Sequence, residues 1–361
     1  MSFTGVLITL AGALILLFLL VEMFVTVLHH WSGSGILGRF TSRVVWQSAL
    51  KITRGMPHPR RRQLLGCVGP ALIPLALLLW GVLAILGFAL IYLPWMPEGF
   101  DSQVGIPRPS TLGDALYYSG VTFFTLGYGE VIALNGGMRA LSVIEAGSGF
   151  ALVTLGISYF TSVYPAYSHQ QLLSDSVLNQ ADGTADAATL LAQHLAGGAP
   201  VEVLAGELAR LRDGLARVRA EYGSYPILYH FMASTPERSL LRLLFVAHDL
   251  VLILDTAIDP RQHPALAGLG RRCGLGHAAG RARGVLNAAL FQNHASPTPG
   301  QDGWTERFRS ACKTLRAAGM SVRDDAAAVR AYNTGRGEWE PDLRAAAEAL
   351  GEEWGEISGG Y

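Results

Sequence analysis

Three long apolar runs stand out in the first half of the chain, at residues 3–28, 69–95 and 138–164. The first run carries one charge, Glu22, and the second carries none. The third has Arg139 and Glu145 near its beginning. Because about 20 apolar residues cross a bilayer as a helix, each run predicts a membrane-spanning helix.

The first run could instead be a secretory signal peptide. Such a peptide has a basic start, a shorter apolar core and a small-residue cleavage pattern. These features are missing from residues 1–30. We therefore predict an N-terminal transmembrane helix over this segment.

A more polar interval, residues 96–137, separates the second run from the third. Thr111 and Asp114 form a capping-box pattern after Pro109, which predicts a helix over residues 111–124. The next residues, "TLGYG", put two glycines into a mostly apolar stretch. Open backbone is tolerated at membrane depth only where it is buried in protein or lines water. The short helix and its loop are therefore predicted to line a path.

The loop at residues 125–129 suits the binding of a cation. Gly127 and Gly129 permit backbone conformations that turn successive carbonyl groups to one side. Rings of such carbonyls replace the hydration shell of a monovalent cation. The preceding helix would point its partially negative C-terminus at the loop. A simple tight turn is the alternative, but it leaves a capped helix between two spans unexplained.

The segment resembles the selectivity filter of potassium channels, whose pattern is TVGYG. The resemblance covers residues 69–165, divided into an outer helix 69–95, a pore helix 111–124, the filter 125–129 and an inner helix 138–164. It implies four chains around one pore, with K+ held by Thr125, Leu126, Gly127 and Tyr128. Gly129 would turn the chain outward. K+ is then the permeant ion, and no cofactor is expected.

The same resemblance implies residues that support the filter. Tyr117 and Tyr118 stand where the family often has two tryptophans that brace the filter tyrosine. Two residues depart from the family pattern, since Leu126 replaces the usual valine and Glu130 the usual aspartate. Leucine is not β-branched and holds its backbone less stiffly. The strictness of selection for K+ over Na+ therefore stays open.

The inner helix contains one ionisable residue and several small ones. A charge at Glu145 is costly without a partner, so we expect it behind the filter, hydrogen-bonded to pore-loop backbone. The glycines Gly147, Gly149 and Gly156 predict either a gating hinge, as this family uses, or close helix packing.

Glu22 is an ionisable residue inside the first predicted span. His29 and His30 are candidate neighbours for its carboxylate. We favour a side chain that extends toward the lipid headgroups.

Charge is unevenly distributed along the chain. Residues 31–62 hold seven Lys or Arg and no Asp or Glu, within a basic segment that we place at 31–68. Basic loops stay on the cytoplasmic side, so we predict an outside N-terminus and a cytoplasmic domain at residues 166–361, in a multi-pass protein of the plasma (cell inner) membrane. The basic segment is expected to lie along the inner leaflet, where attraction to anionic lipids is a secondary effect.

Residues 166–361 have a composition typical of helices. Apolar residues at spacings of three and four between Val201 and Tyr222 predict either a coiled coil between chains or packing within the domain, which we favour. The apolar stretch 239–256 contains Arg242 and Asp249, which favours a buried helix over a fourth span. The histidines and three cysteines have no recognised metal-site or disulfide spacing.

These features predict an all-α membrane protein: a tetrameric pore-loop channel with an extra N-terminal transmembrane helix and an α-helical cytoplasmic domain. The predicted function is a potassium-selective channel, not an enzyme, gated through the cytoplasmic domain by an unknown stimulus. The alternatives are a non-selective monovalent cation channel and a membrane-tethered sensor or enzyme with a vestigial pore. The expected partners are three further copies of the chain, membrane lipids and an unidentified cytoplasmic ligand. No nucleic-acid partner is expected, although the balance of 28 basic and 28 acidic residues by itself decides nothing about partners.

Overall fold

The computed structural model describes residues 2–28, 35–291 and 303–359. The chain forms two compact units. The spanning unit comprises Met1–Val45 and Pro70–Val163, and the helical unit comprises Trp46–Gly69 and Tyr164–Tyr361. Residues 46–69 thus group with the C-terminal half of the chain.

The first half of the chain contains six α-helices and two short strands within the described ranges. They are α1 (Phe3–Met23), α2 (Ile36–Thr53), α3 (His58–Tyr92), α4 (Met96–Gly99), β1 (Phe100–Ser102), α5 (Leu112–Phe123), β2 (Val131–Ala133) and α6 (Gly136–Gln180). A π-helical turn, Phe24–Leu28, continues α1, and a 3₁₀ turn, Leu93–Trp95, follows α3.

Among the residues that the structure describes, three helices are long and apolar enough to span a membrane, over Phe3–Thr26, His58–Trp95 and Gly136–Gln180. The second and third are longer than the predicted helices at 69–95 and 138–164. Hydropathy marks only the lipid-facing length of a helix, whereas good helix formers continue it beyond the bilayer. The polar turns at both extensions, such as Arg60–Gln63 and His169–Gln171, are therefore helical too.

Small residues bring α1 against α3. A Cβ added at Gly12 would lie 2.5 Å from the carbonyl oxygen of Gly87, and one added at Gly87 would lie 2.7 Å from Leu16 Cδ2. Apolar side chains gain little from leaving lipid for another helix, so close packing of small residues supplies the attraction in a membrane. The extra N-terminal helix is thus an integral part of the spanning unit.

Glu22 lies at the end of α1 and is only 3% exposed. Its Oε1 accepts a hydrogen bond from the Gly38 amide at 3.0 Å, in the first turn of α2. An acidic group at a helix N-terminus satisfies free amides and the positive end of the helix dipole. The structure thus gives Glu22 a protein partner at the start of α2, and a position of its side chain near the headgroups stays a prediction. His29 and His30 lie outside the described residues.

The interval between α3 and α6 contains two short paired strands and a capped helix. β1 and β2 pair antiparallel, with Phe100 opposite Ala133. α5 begins with the predicted capping box: Asp114 N donates to Thr111 Oγ1 at 3.2 Å, and Thr111 N donates to Asp114 Oδ2 at 2.8 Å. These bonds satisfy amides at the start of the helix and fix where it begins.

The helical unit contains nine further α-helices within the described ranges. They are α7 (Ala187–Leu195), α8 (Val201–Ser224), α9 (Leu240–Thr256), α10 (Leu269–Arg272), α11 (Leu275–Leu290), α12 (Trp304–Ala317), α13 (Ala326–Gly337), α14 (Glu340–Leu350) and α15 (Trp354–Ser358). Short 3₁₀ turns lie at Ala196–Gly198, Pro226–His230 and Pro236–Arg238.

The heptad pattern of α8 is satisfied inside the helical unit. Its apolar positions are buried, and the helix packs on α11 and α7. Helix α9 is the buried centre of the unit, which confirms that the apolar stretch 239–256 is a core helix. Asp249 on α9 is paired with Arg307, whose Nη2 lies 2.7 Å from its Oδ2. Burial alone raises the pKa of Asp249, but Arg307 and Arg336 outweigh it and lower that pKa below its ordinary value.

Candidate ion pathway

The loop after α5 has alternating backbone handedness. Thr125, Gly127 and Gly129 have positive φ angles of 56°, 58° and 76°, whereas the intervening Leu126 and Tyr128 do not. Alternation between left-handed and right-handed conformations turns successive carbonyl groups toward one side of the chain. A positive φ at threonine is uncommon and costs about 1–3 kcal/mol, and such strained residues cluster at functional sites.

Hydrogen bonds at the end of α5 fix the start of this loop. The amides of Thr125 and Leu126 donate to the carbonyl oxygens of Thr122 and Val121, at 2.9 and 2.8 Å. The carbonyl end of α5 is therefore directed at the loop, and its partial negative charge favours a cation there.

The predicted filter residues are exposed in a single chain. Tyr128 is 61% exposed and Leu126 is 55% exposed, Thr125 and Gly127 are exposed as well, and Gly129 is partly buried. Beside Tyr128 lies a cavity of about 280 Å³, which is also lined by Tyr117 and Glu130. Exposed large apolar side chains such as Leu126 mark surfaces that lipid or another protein covers. The cavity beside Tyr128 leaves space for a protein side chain there.

The two tyrosines of α5 have different roles. Tyr117 donates to Glu130 Oε2 at 2.6 Å, which ties the helix to the residue that follows the loop. Tyr118 lies 2.7 Å from Ser142 Oγ on α6 and packs edge to face against Tyr92 and Phe100, with ring centroids 5.2 and 4.9 Å away. Tyr118 thus fixes α5 against its neighbours, and Tyr117 fixes the outer end of the loop.

Glu145 lies at the junction of three helices and has no exposed surface. Tyr92 on α3 donates to its Oε2 at 2.8 Å, and the Ser119 hydroxyl of α5 contacts its Oε1. Ser119 also lies 2.9 Å from the Ile85 carbonyl oxygen. The partners of Glu145 are therefore side chains of the outer and pore helices, not the pore-loop backbone that the sequence led us to expect. Side-chain partners were invisible in the sequence because they are 26 and 53 residues away.

The three glycines of α6 differ in their surroundings. A Cβ at Gly149 would overlap the Phe123 carbonyl oxygen, and one at Gly156 would lie 2.5 Å from Leu77 Cδ1. Nothing lies within 4 Å of the corresponding position at Gly147. Gly149 and Gly156 thus allow close helix packing. Because α6 is continuous through all three, a gating hinge stays a prediction, and Gly147 is the glycine free to serve it.

Gln103 supports the outer end of the loop and was missed in the sequence. Its side-chain Nε2 lies 3.2 Å from the Gly129 carbonyl oxygen, and its backbone N–H donates to the Glu130 carbonyl oxygen at 3.0 Å. The acidic residues nearby are largely engaged: Asp101 pairs with Arg108 at 3.6 Å, and Asp114 caps α5. Glu98 remains exposed at the outer surface.

A protein-family profile described as "Ion channel" matches residues 75–165. Residues 75–165 match an ion channel family. That range contains most of α3, all of α5, the loop, and α6 as far as Pro165.

A protein of Bacillus subtilis (strain 168) described as "Uncharacterized membrane protein YdjJ" is 26% identical over 256 residues, which cover 70% of this chain and 71% of that protein. No solved structure matches the chain at a significant level. The chain is thus a membrane protein whose described part has three helices that could span the bilayer and a region at residues 75–165 similar to ion channels. In the described part of the chain, no group of three His, Cys, Asp or Glu side chains could hold a metal ion.

Proposed function

We propose that the protein is a potassium-selective channel in which four chains surround one pore. The observation that carries this proposal is the alternating backbone at Thr125, Gly127 and Gly129, at the C-terminus of a capped helix between two spans. Four such loops would present the carbonyl groups of residues 125–128 as stacked rings that replace water around K+.

Exposed surfaces of the spanning unit support the tetramer. Leu126 and Tyr128 are exposed in one chain, and Phe150 and Ile157 of α6 are 73% and 63% exposed. In a four-fold assembly, the loop residues meet neighbouring chains, and the cavity beside Tyr128 receives protein. Closed cyclic symmetry also brings the loops to a common axis.

A non-selective monovalent cation channel is the second candidate, because Leu126 stands at a filter position. Its unbranched Cβ restrains the backbone less than valine would, and a looser filter discriminates less between K+ and Na+. The two functions differ in the reversal potential, which follows the K+ gradient alone for a selective channel.

We also propose that the helical unit modulates opening. It contains the first turns of α3 and the last turns of α6. Arg62 of α3 forms ion pairs with Glu352 at 3.4 Å and Glu356 at 3.2 Å. Gln170 of α6 donates to the Arg238 carbonyl oxygen at 2.9 Å. The proposed outer helix, α3, and the proposed inner helix, α6, thus both continue into one unit, so a ligand that rearranges the unit would act on both.

Potassium flux into liposomes tests the channel. Full-length protein is compared with Gly127→Asp, which places a side chain and a charge in the loop, and with Gly197→Asp as the matched control. Gly197 also has a positive φ, 72°, and open space around it, but it lies in the helical unit. We expect flux to be lost only in Gly127→Asp. Equal flux in all three proteins would refute the pore assignment.

The proposed topology places the N-terminus outside and the helical unit in the cytoplasm, because the basic segment 31–68 would stay inside. Reporter enzymes that are active on only one side of the membrane, fused after residue 361, test this orientation. Activity of the periplasmic reporter alone would overturn it.

A further inference from the structure

The first turns of α2 are fixed at the end of a spanning helix. The Gly38 amide donates to Glu22 at 3.0 Å, and the Gly35 amide donates to Thr26 Oγ1 at 3.1 Å. Glu22 is four residues before the end of the span Phe3–Thr26, a distance of about 6 Å along the helix. The polar layer on each side of a bilayer is about 5–8 Å thick. The beginning of α2 therefore lies at the level of the lipid headgroups.

One face of this part of α2 is packed against protein. Leu37 contacts the apolar cluster of the spanning unit that includes Leu19 and Trp80. The other face is exposed, with Ile36, Phe40 and Val44 spaced one helical turn apart.

Two exposed arginines, Arg39 and Arg43, lie along the edge of this apolar stripe. The sequence of α2 contains no Asp or Glu. A helix with an apolar stripe and adjacent arginines inserts the stripe among acyl chains and holds the guanidinium groups near phosphates. The same face of a second chain would bind poorly here, because its arginines would repel Arg39 and Arg43.

We propose that Ile36, Arg39, Phe40, Arg43 and Val44 form a binding surface for anionic phospholipid, called here the α2 lipid face. The apolar side chains contact the acyl chains just below the headgroup, and the two arginines bind its phosphate. This surface requires no ion conduction, so the proposal is independent of the proposed channel function.

Native mass spectrometry of the full-length protein tests the proposal. Detergent-solubilised protein is supplied with equal amounts of phosphatidylglycerol and phosphatidylcholine that carry the same acyl chains. We expect the wild-type chain to retain phosphatidylglycerol preferentially. Each basic residue contributes about fivefold to the ratio of bound phosphatidylglycerol to bound phosphatidylcholine. The double variant Arg39→Gln/Arg43→Gln should therefore lower that ratio by about 25-fold. Glutamine preserves helix propensity, so the helix is retained.

The matched control is Arg261→Gln/Arg309→Gln, which removes two exposed arginines from the helical unit. It should leave the lipid ratio unchanged. A third variant, Phe40→Ser, should reduce retention of both lipids, since it removes apolar contact without changing charge.

Three results would overturn the proposal. One is a double variant whose lipid ratio stays within twofold of wild type, and another is an equal loss in the control variant. The third is a wild-type chain that retains neither lipid, which would mean that protein covers this face. Because the readout is the mass of bound lipid, an absence of ion flux would leave the result unaffected.

Discussion

Replacement of Glu145 is the most direct test of how the pore helix is held. The Glu145 carboxylate is fully buried and joins α6 to Tyr92 on α3 and Ser119 on α5. Glu145→Ala removes the acceptor for both hydroxyl groups. Ser119 keeps a second partner, the Ile85 carbonyl oxygen at 2.9 Å, whereas Tyr92 loses its short hydrogen bond.

The size of the effect follows from those contacts. A buried hydroxyl left unpaired costs about 1–3 kcal/mol. The void left by the removed side chain adds about 1 kcal/mol. We therefore expect Glu145→Ala to lower the free energy of unfolding by about 2–4 kcal/mol. Glu145→Gln keeps a carbonyl oxygen that can accept from Tyr92, so it should cost less, about 1 kcal/mol.

Thermal unfolding of the full-length protein in lipid nanodiscs, followed by tryptophan fluorescence, measures the stabilities of the wild type, Glu145→Gln and Glu145→Ala, which should decrease in that order. The control is Ile144→Ala, whose side chain is 62% exposed on the same helix. In liposomes, the reversal potential should move away from that of K+ in the alanine variant first, because α5 positions the filter. An alanine variant as stable and selective as wild type, or a control that loses equal stability, would refute the reasoning.

Three further predictions concern packing, pH and the attachment of the outer helix. Gly149→Ala should destabilise the protein by about 1–3 kcal/mol, because its Cβ would meet the carbonyl oxygen of Phe123. Gly147→Ala is the control and should not destabilise it, since its Cβ would meet no neighbouring atom. Thermal unfolding of the two variants measures the difference. Burial lowers the pKa of His248 to about 3 in the folded protein. Its contribution to the free energy of unfolding is therefore complete above pH 6.5 and falls by up to about 1.4 kcal/mol per pH unit as the pH drops toward 3. In His248→Phe, the free energy of unfolding should depend less steeply on pH between pH 4 and 7. A pH dependence as steep as that of the wild type would contradict this prediction. Arg62→Gln should cost about 3 kcal/mol and alter open probability, because the buried Glu352 loses its cationic partner and keeps only the hydrogen bond from Ser239. Arg62→Gln/Glu352→Gln should recover most of the loss in unfolding measurements.

Local sequence was sufficient for the elements that depend on neighbouring residues. The capping box at Thr111 and Asp114 is confirmed because its partners are three residues apart. The positive φ angles of Gly127 and Gly129 agree with the conformational freedom of glycine. A positive φ at Thr125 was not predictable, since threonine disfavours it and only the surrounding structure imposes it.

Partners distant in the sequence could not be assigned in advance. Nothing in the sequence indicated that Glu22 would accept a hydrogen bond from Gly38, which is 16 residues away at the start of α2. Gln103 gave no signal, since a single polar residue in a loop has many possible roles. The heptad pattern of α8 predicted an apolar face, but not that α11 would cover it.

The sequence by itself determined where three helices could cross a membrane, where the pore helix begins and which short loop has backbone suited to a cation. These follow from hydrophobic length, capping and glycine, which act over a few residues. Only the tertiary structure decided what surrounds Glu145, why Gly149 and Gly156 are small and how Arg62 is held. Those contacts depend on the burial of polar groups and on helix packing, which join residues that the chain separates by tens or hundreds of positions.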